Sequence, residues 1–430
     1  MIQAAFSETG EYSGEINDQY DVVVIGGGPA GATVSTILAE YGHDVLVLER
    51  STIPRFHVGE SLIPETYWVL DRLGLVPQLK ASAYPKKFSV QFVSDGWKES
   101  APFYFDMMNP HESSQTWQVE RADFDKMLID NAVAKGVTVR TQAQVLEVTF
   151  EGDRATGVRV KLGASSRNVA AKVVVDCSGN SAFLCNRLGL RVGDPLLQKG
   201  TVWSYFKGAL RDEGRDEGAT IILQTEDKKS WFWYIPLRDD VVSIGCTGNM
   251  QYMFPKGSSP EATFERELER CPALQKRLEN ATRCMDFFTT RDYSYRSKQA
   301  AGDGWVLCGD AFSFVDPVYS SGVFLALKCG EIVADNTHAA LVEGDTSGER
   351  LGIWRDDYAK GVENFRKLVY AFYTPGFSFG DFMREHPGYK DHLVDILIGA
   401  VFKPGVSDIF EAMGDIRPPS DRVEPEPTTA

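Results

Sequence analysis

Between Asp21 and Glu49 the chain runs through an apolar strand pattern, a glycine turn, a small-residue helix and a second apolar strand that ends in an acid. No other stretch limits the fold so strongly. The order is that of a βαβ unit, two parallel strands joined by a crossover helix. Asp21 to Ile25 reads DVVVI, an unbroken apolar run of the kind buried on both faces of a parallel sheet. Gly26-Gly27-Gly28-Pro29-Ala30-Gly31 then supplies G-x-G-x-x-G. Gly26 permits the tight turn, Gly28 lets a pyrophosphate approach the backbone, and Gly31 lets helix and strand pack closely. Pro29 and Ala30 lead into a helix over residues 30–40, whose free N–H groups suit a phosphate. Glu49, 18 residues beyond Gly31, is placed to accept hydrogen bonds from ribose hydroxyls, and Arg50 beside it joins the cofactor-binding set.

A chain of 430 residues exceeds what one hydrophobic core organises. Further strand patterns at 137–140, 145–150, 172–176 and 305–307 fit the same sheet as the βαβ unit. Helices are expected over 121–134, with Phe124, Met127, Leu128 and Ala132 on one face, and over 323–341. Segments 88–105 and 201–248 differ: they carry aromatics, Thr and alternation, the marks of antiparallel strands. The fold class is therefore α/β. A Rossmann-like dinucleotide domain (19–85, 115–195 and 296–345) is interleaved with an antiparallel-sheet substrate domain (86–114 and 196–295). A helical region covers 346–415. The polar residues 1–18 and the Pro- and Glu-rich 416–430 are expected to be disordered.

Composition removes several classes of function. A net charge of −15 disfavours nucleic acid and anionic membranes as partners. The seven cysteines form no C-x-x-C pair and the six histidines are scattered, so neither a metal site nor a disulfide framework is expected. No apolar run approaches a membrane span, and the N-terminus lacks the pattern of a signal peptide, so a reducing, cytoplasmic setting is expected.

The nucleotide could be NAD or FAD. Gly309-Asp310 after a buried strand favours FAD, because flavoproteins use such an Asp on the ribityl chain. Arg121 opens its helix where this class places an Arg near the flavin. The plainer readings are a helix N-cap for Asp310 and a helix-start ion pair for Arg121. No second G-x-G-x-x-G provides an NADPH domain. Trp231-Phe232-Trp233-Tyr234-Ile235-Pro236 would place both indoles on one face of a strand. A buried aromatic strand and a wall between flavin and substrate are both compatible with it.

Four motifs together carry a resemblance. They are Gly26–Gly31, Pro54-Arg55-Phe56-His57-Val58-Gly59-Glu60-Ser61, the W-x-W-x-I-P run at Trp231, and Phe314-Val315-Asp316-Pro317-Val318-Tyr319-Ser320-Ser321-Gly322. Over residues 20–345 the chain resembles the flavin-dependent halogenases, within the superfamily of FAD-dependent aromatic hydroxylases and geranylgeranyl reductases. The resemblance implies that a separate flavin reductase supplies reduced FAD. Oxygen and a halide, chloride or bromide, then give hypohalous acid. A lysine directs this to an electron-rich ring, and the tryptophan pair insulates flavin from substrate. The lysine is Lys87, which precedes Phe88 as the family's does. If its segment is a strand, Lys86 and Lys87 face opposite ways and only one points inward. Ser321 and Gly322, at a helix start, become the halide site, with Pro317 and Gly322 beside the flavin.

One departure bears on the substrate. Tryptophan halogenases carry a Glu immediately before their Ser-Thr-Gly, and here Tyr319 stands in that place. That favours a self-activated phenol or pyrrole, free or bound to a carrier protein. The rival readings are an FAD monooxygenase, a prenyl reductase, and a flavoprotein that binds FAD without turnover.

Overall fold

The computed structural model describes residues 12–107, 110–291 and 293–418. Two large sheets organise it. In the first, the strands run in the order 301–302, 305–307, 165–176, 19–25, 45–48 and 138–140. The four inner pairings from 305–307 to 138–140 are parallel. Val22, Val23 and Val24 are fully buried, as the unbroken apolar run requires. The helix Pro29–Glu40 packs on this sheet, and the helix Ser321–Glu343 packs on Pro29–Glu40. A Cβ on Gly330 would lie 2.9 Å from the Ala30 carbonyl oxygen, so a glycine lets the two helices touch.

The second sheet runs 282–283, 199–207, 241–249, 230–236, 220–224, 89–93 and 103–104. It is antiparallel as expected, with one correction: the strand Ser89–Val93 pairs with Thr220–Gln224 in parallel. The chain leaves for the first sheet between these two strands, so no hairpin joins them and nothing imposes an antiparallel return. Lys86–Lys87 is not part of this sheet; it pairs with Thr116–Trp117.

Helices Arg355–Tyr373, Phe379–Glu385, Lys390–Ile398 and Ile409–Met413 form the C-terminal region. Val394 and Ile398 pack on Phe105 and so bring this region against the Phe103–Tyr104 edge of the second sheet. The expected loose N-terminus does not hold for its described residues. Gly14 N–H donates to the Val139 carbonyl at 3.2 Å, and the Tyr12 hydroxyl to Asp130 at 2.5 Å. A sheet edge with free backbone groups ties this polar segment down. Residues 1–11 and 419–430, where disorder was expected, lie outside the described residues.

Candidate active site

The glycine turn is shaped by close approach. Gly26 has φ +105°, and a Cβ there would lie 2.4 Å from the Cys177 carbonyl oxygen; one on Gly31 would lie 2.0 Å from that of Gly26. Above Gly28 there is space: a Cβ would meet only the Arg55 guanidinium, at 3.6 Å. Pro29 and Ala30 form the buried first turn of the helix, which carries no acid. This is a cradle that fits a pyrophosphate. Glu49 takes N–H bonds from Gly27 and Ser51, both at 2.9 Å. Arg50 is exposed beside it.

A charged network borders the cradle. Arg55 lies 3.6 Å from Glu49 and 2.8 Å from Asp125. Asp125 also receives two bonds from Arg121, at 2.8 and 3.1 Å, and the two arginines hold its carboxyl below the usual range despite burial. Arg121 donates further to the Val58 carbonyl at 2.9 Å. The ion-pair reading of Arg121 therefore holds, and it places the guanidinium against the Gly59 segment. Gly309 has φ +61° and packs on Ala30. Burial pushes the neighbouring Asp310 carboxyl up to about 7. Asp310 lies inside the short Gly309–Ala311 turn, whose N-cap is Cys308, so it is not a helix cap.

Pro317 opens a short turn that Asp316 caps through the Val318 N–H at 3.0 Å. Ser320, with φ +56°, precedes the helix that begins at buried Ser321 and Gly322, and no side chain caps that helix. Its first N–H groups suit an anion. Tyr319 is buried, and its hydroxyl points to the Leu368 carbonyl at 3.4 Å.

Both faces of the Ser230–Pro236 strand are buried. The indoles of Trp231 and Trp233 share one face, with centroids 6.3 Å apart. Trp231 donates to the Tyr373 hydroxyl at 2.8 Å and Trp233 to the Ser243 hydroxyl at 3.2 Å. Trp203 extends the wall to Phe288 and thence to Phe56, while Phe372 extends it to Tyr319. Gly245 makes room: a Cβ there would lie 2.2 Å from the Trp233 ring.

Lys86 is exposed and Lys87 only 2% exposed, so the inward lysine is the expected one. Lys87 Nζ donates to the Ser61 hydroxyl at 2.8 Å and the Leu62 carbonyl at 3.0 Å, and lies 5.5 Å from the Phe105 ring. Burial alone lowers it from 10.5 to about 7. Ser61 also lies 2.9 Å from the Thr220 hydroxyl, which accepts from Gln118 at 2.8 Å. On the other side of the same extended segment, Glu60 accepts from the Tyr205 hydroxyl at 2.7 Å, and burial pushes its carboxyl up to about 7.

Sequence reasoning quoted Arg55, Glu60 and Ser61 within a motif without giving them roles, and missed Gln118, Asp125, Trp203, Thr220, Gly245 and Tyr373. The one available signal was the Gly-Glu-Ser segment, whose alternation sends neighbouring side chains to opposite faces. Among the described residues no cluster of His, Cys, Asp or Glu could hold a metal, and no helix is long and apolar enough to cross a membrane.

The pattern of the FAD-binding domain family matches residues 19–332. Fold and cradle together define an FAD-dependent oxidoreductase. The chain is 30% identical over 425 residues to a 1H-pyrrole-2-carbonyl-(peptidyl-carrier protein) chlorinase of Pseudomonas fluorescens, covering 92% of this chain and 93% of the relative. It is 31% identical to the corresponding brominase of Pseudoalteromonas luteoviolacea, covering 89% and 92%. The flavin-dependent brominase Bmp2 superposes with a TM-score of 0.83 at 29% identity, over 92% of this chain and 98% of that one. The myxobacterial chondrochloren halogenase CndH gives 0.78 at 31% identity, over 92% and 97%. The chain belongs to the flavin-dependent halogenases, enzymes that use FAD with halide as co-substrate.

Proposed function

We propose that this halogenase acts on a pyrrole-like ring tethered to a carrier protein, with Lys87 as the group that handles the oxidised halogen. Reduced FAD with oxygen supplies the two-electron oxidant that turns halide into hypohalous acid. The Gly26–Gly31 turn, Glu49, Arg55, Arg121 and Asp310 would hold the FAD. The uncapped start of the Ser321–Glu343 helix would hold the halide through backbone N–H groups at Ser321 and Gly322. Trp231 and Trp233 would keep the ring away from the flavin.

The observation that carries this reading is Lys87, a buried amine held by a hydroxyl and a carbonyl with no carboxylate bound to it. At neutral pH it is near its midpoint. As an ammonium it donates to hypohalous acid; as an amine it takes the halogen, forming N–X and releasing water. The ring then gains the halogen and loses a proton.

The acceptor class rests on Tyr319. It stands where the tryptophan branch carries a carboxylate, and its hydroxyl is turned to Leu368. A ring that needs no base for activation suits this site, and two relatives act on carrier-bound pyrrole. A separate flavin reductase is the expected electron source, since the chain has no second dinucleotide motif. The seven free cysteines suit a reducing cytoplasm.

Mass spectrometry tests the proposal. The protein is mixed with FAD, a flavin reductase, NADH, oxygen and halide, and offered pyrrole-2-carbonyl on a carrier protein or free phenols and pyrroles. Halogen on the carrier-bound ring is expected, and Lys87→Ala should lower it about a thousandfold with FAD still bound. Halogenation of free phenols alone would overturn the carrier reading. Undiminished activity of Lys87→Ala would remove Lys87 from the chemistry.

A further inference from the structure

Lys87 makes two hydrogen bonds, and their acceptors are not equivalent. The Leu62 carbonyl, 3.0 Å away, can only accept. The Ser61 hydroxyl, 2.8 Å away, can accept from an N–H or donate to a nitrogen lone pair. Behind Ser61 stands Thr220, whose hydroxyl lies 2.9 Å from that of Ser61, with either able to donate. Gln118 fixes the far end. Its amide spends both protons, one on Thr220 at 2.8 Å and one on the Gly218 carbonyl at 2.9 Å.

We propose that Ser61 is the positioning residue of Lys87: its hydroxyl aims the amine and reverses from acceptor to donor when Lys87 exchanges a proton for a halogen. This rests on the reading of Lys87 as the group that handles the oxidised halogen.

With Lys87 charged, Nζ donates to Ser61 and Ser61 donates to Thr220. With two of three N–H groups anchored on Ser61 and Leu62, only the third remains for the halogen species. The ammonium first gives its third proton to solvent, which leaves an amine with a free lone pair; as that amine attacks hypohalous acid, the N–X bond forms and the X–O bond breaks. One N–H proton leaves with the hydroxide as water. The haloamine keeps one N–H for Leu62 and turns a lone pair toward Ser61. Thr220 now donates to Ser61 and Ser61 to Nζ. Two hydroxyl protons rotate and no heavy atom moves, so the Nζ–Ser61 and Ser61–Thr220 hydrogen bonds persist at both stages.

Among the described residues no acid is bonded to Lys87. Glu60 is engaged by Tyr205, Asp106 by Arg215, Glu112 by Lys80 and Tyr67, and Asp216 by Ser89 and Tyr104. Thr116, opposite Lys87 in the two-stranded ladder, carries a hydroxyl. The lowered Lys87 midpoint has burial as its only cause, in keeping with this uncharged surrounding.

The test titrates Lys87 directly, by NMR of the full-length protein carrying ε-labelled lysine, and needs no acceptor. Ser61→Ala removes a bond that is stronger to the ammonium than to the amine. The Lys87 midpoint should move down, while Ser61→Thr should restore it. With pyrrole-2-carbonyl on a carrier protein as probe, Ser61→Ala should lower kcat about tenfold to a hundredfold and leave KM and FAD affinity unchanged. Thr220→Val keeps Ser61 in place and should move the midpoint the same way by a smaller amount. An unmoved midpoint and unchanged kcat in Ser61→Ala would overturn the proposal. A kcat loss without a midpoint shift would reduce Ser61 to packing. Failure of the Lys87 reading itself shows separately, as full activity of Lys87→Ala.

Discussion

The cofactor cradle and the lysine pocket solve burial of charge in opposite ways. Around the cradle the buried charges beside the glycine turn are paired, Glu49 with Arg55 and Asp125 with both Arg55 and Arg121. Around Lys87 there are hydroxyls, carbonyls and rings. A paired network keeps its charges fixed and suits the holding of a charged dinucleotide. A lone buried amine has its protonation set near neutrality and suits a group that must change state during turnover. The difference teaches that the two halves are tuned by different means, the one by pairing and the other by desolvation.

The comparison breaks first at Gly28. Gly28→Val has room within the protein itself, meeting only the tip of Arg55, so the fold should persist while the pyrophosphate approach is lost. FAD affinity should fall about a hundredfold, read by titration of flavin absorbance, with the lysine pocket unaffected. Gly245→Val strikes the other half. Its side chain would collide with Trp233 and Trp203, destabilising the protein by about 2 kcal/mol in denaturant melts and leaving FAD affinity near the parent value.

Lys87→Met sharpens the contrast most finely. The unfolded chain holds the lysine proton up to 10.5 and the folded protein only to about 7. In that window the unfolded state binds more protons, so Lys87 makes stability rise with pH, by at most ~1.4 kcal/mol per unit. Methionine should remove that slope and raise stability at neutral pH. Glu60, Asp310 and Asp316, each pushed up to about 7, act with the opposite sign: their contribution is lost as pH rises through about 7. Parent and variant melts compared between pH 7 and 10 isolate the lysine.

What the sequence made legible follows the same division. The turn at Gly26–Gly31 and the shared face of Trp231 and Trp233 follow from local period and order; period puts Lys86 and Lys87 on opposite faces, and only the family resemblance singles out Lys87. The pairing of Arg55 with Asp125, of Trp231 with Tyr373 and of Ser61 with Thr220 joins residues 70, 142 and 159 positions apart. No local pattern encodes such partners. The single parallel pairing in the second sheet was hidden for the same reason, since alternation specifies a face and not a direction.

Gly59, Glu60 and Ser61 are three consecutive residues with three different clients. The first abuts Arg121, the second receives Tyr205, and the third holds Lys87. Deleting or inserting one residue here would turn the acid toward the lysine and the hydroxyl toward the tyrosine, exchanging a neutral neighbour for an ionisable one. The length of this stretch therefore fixes the spacing between the cofactor side and the amine.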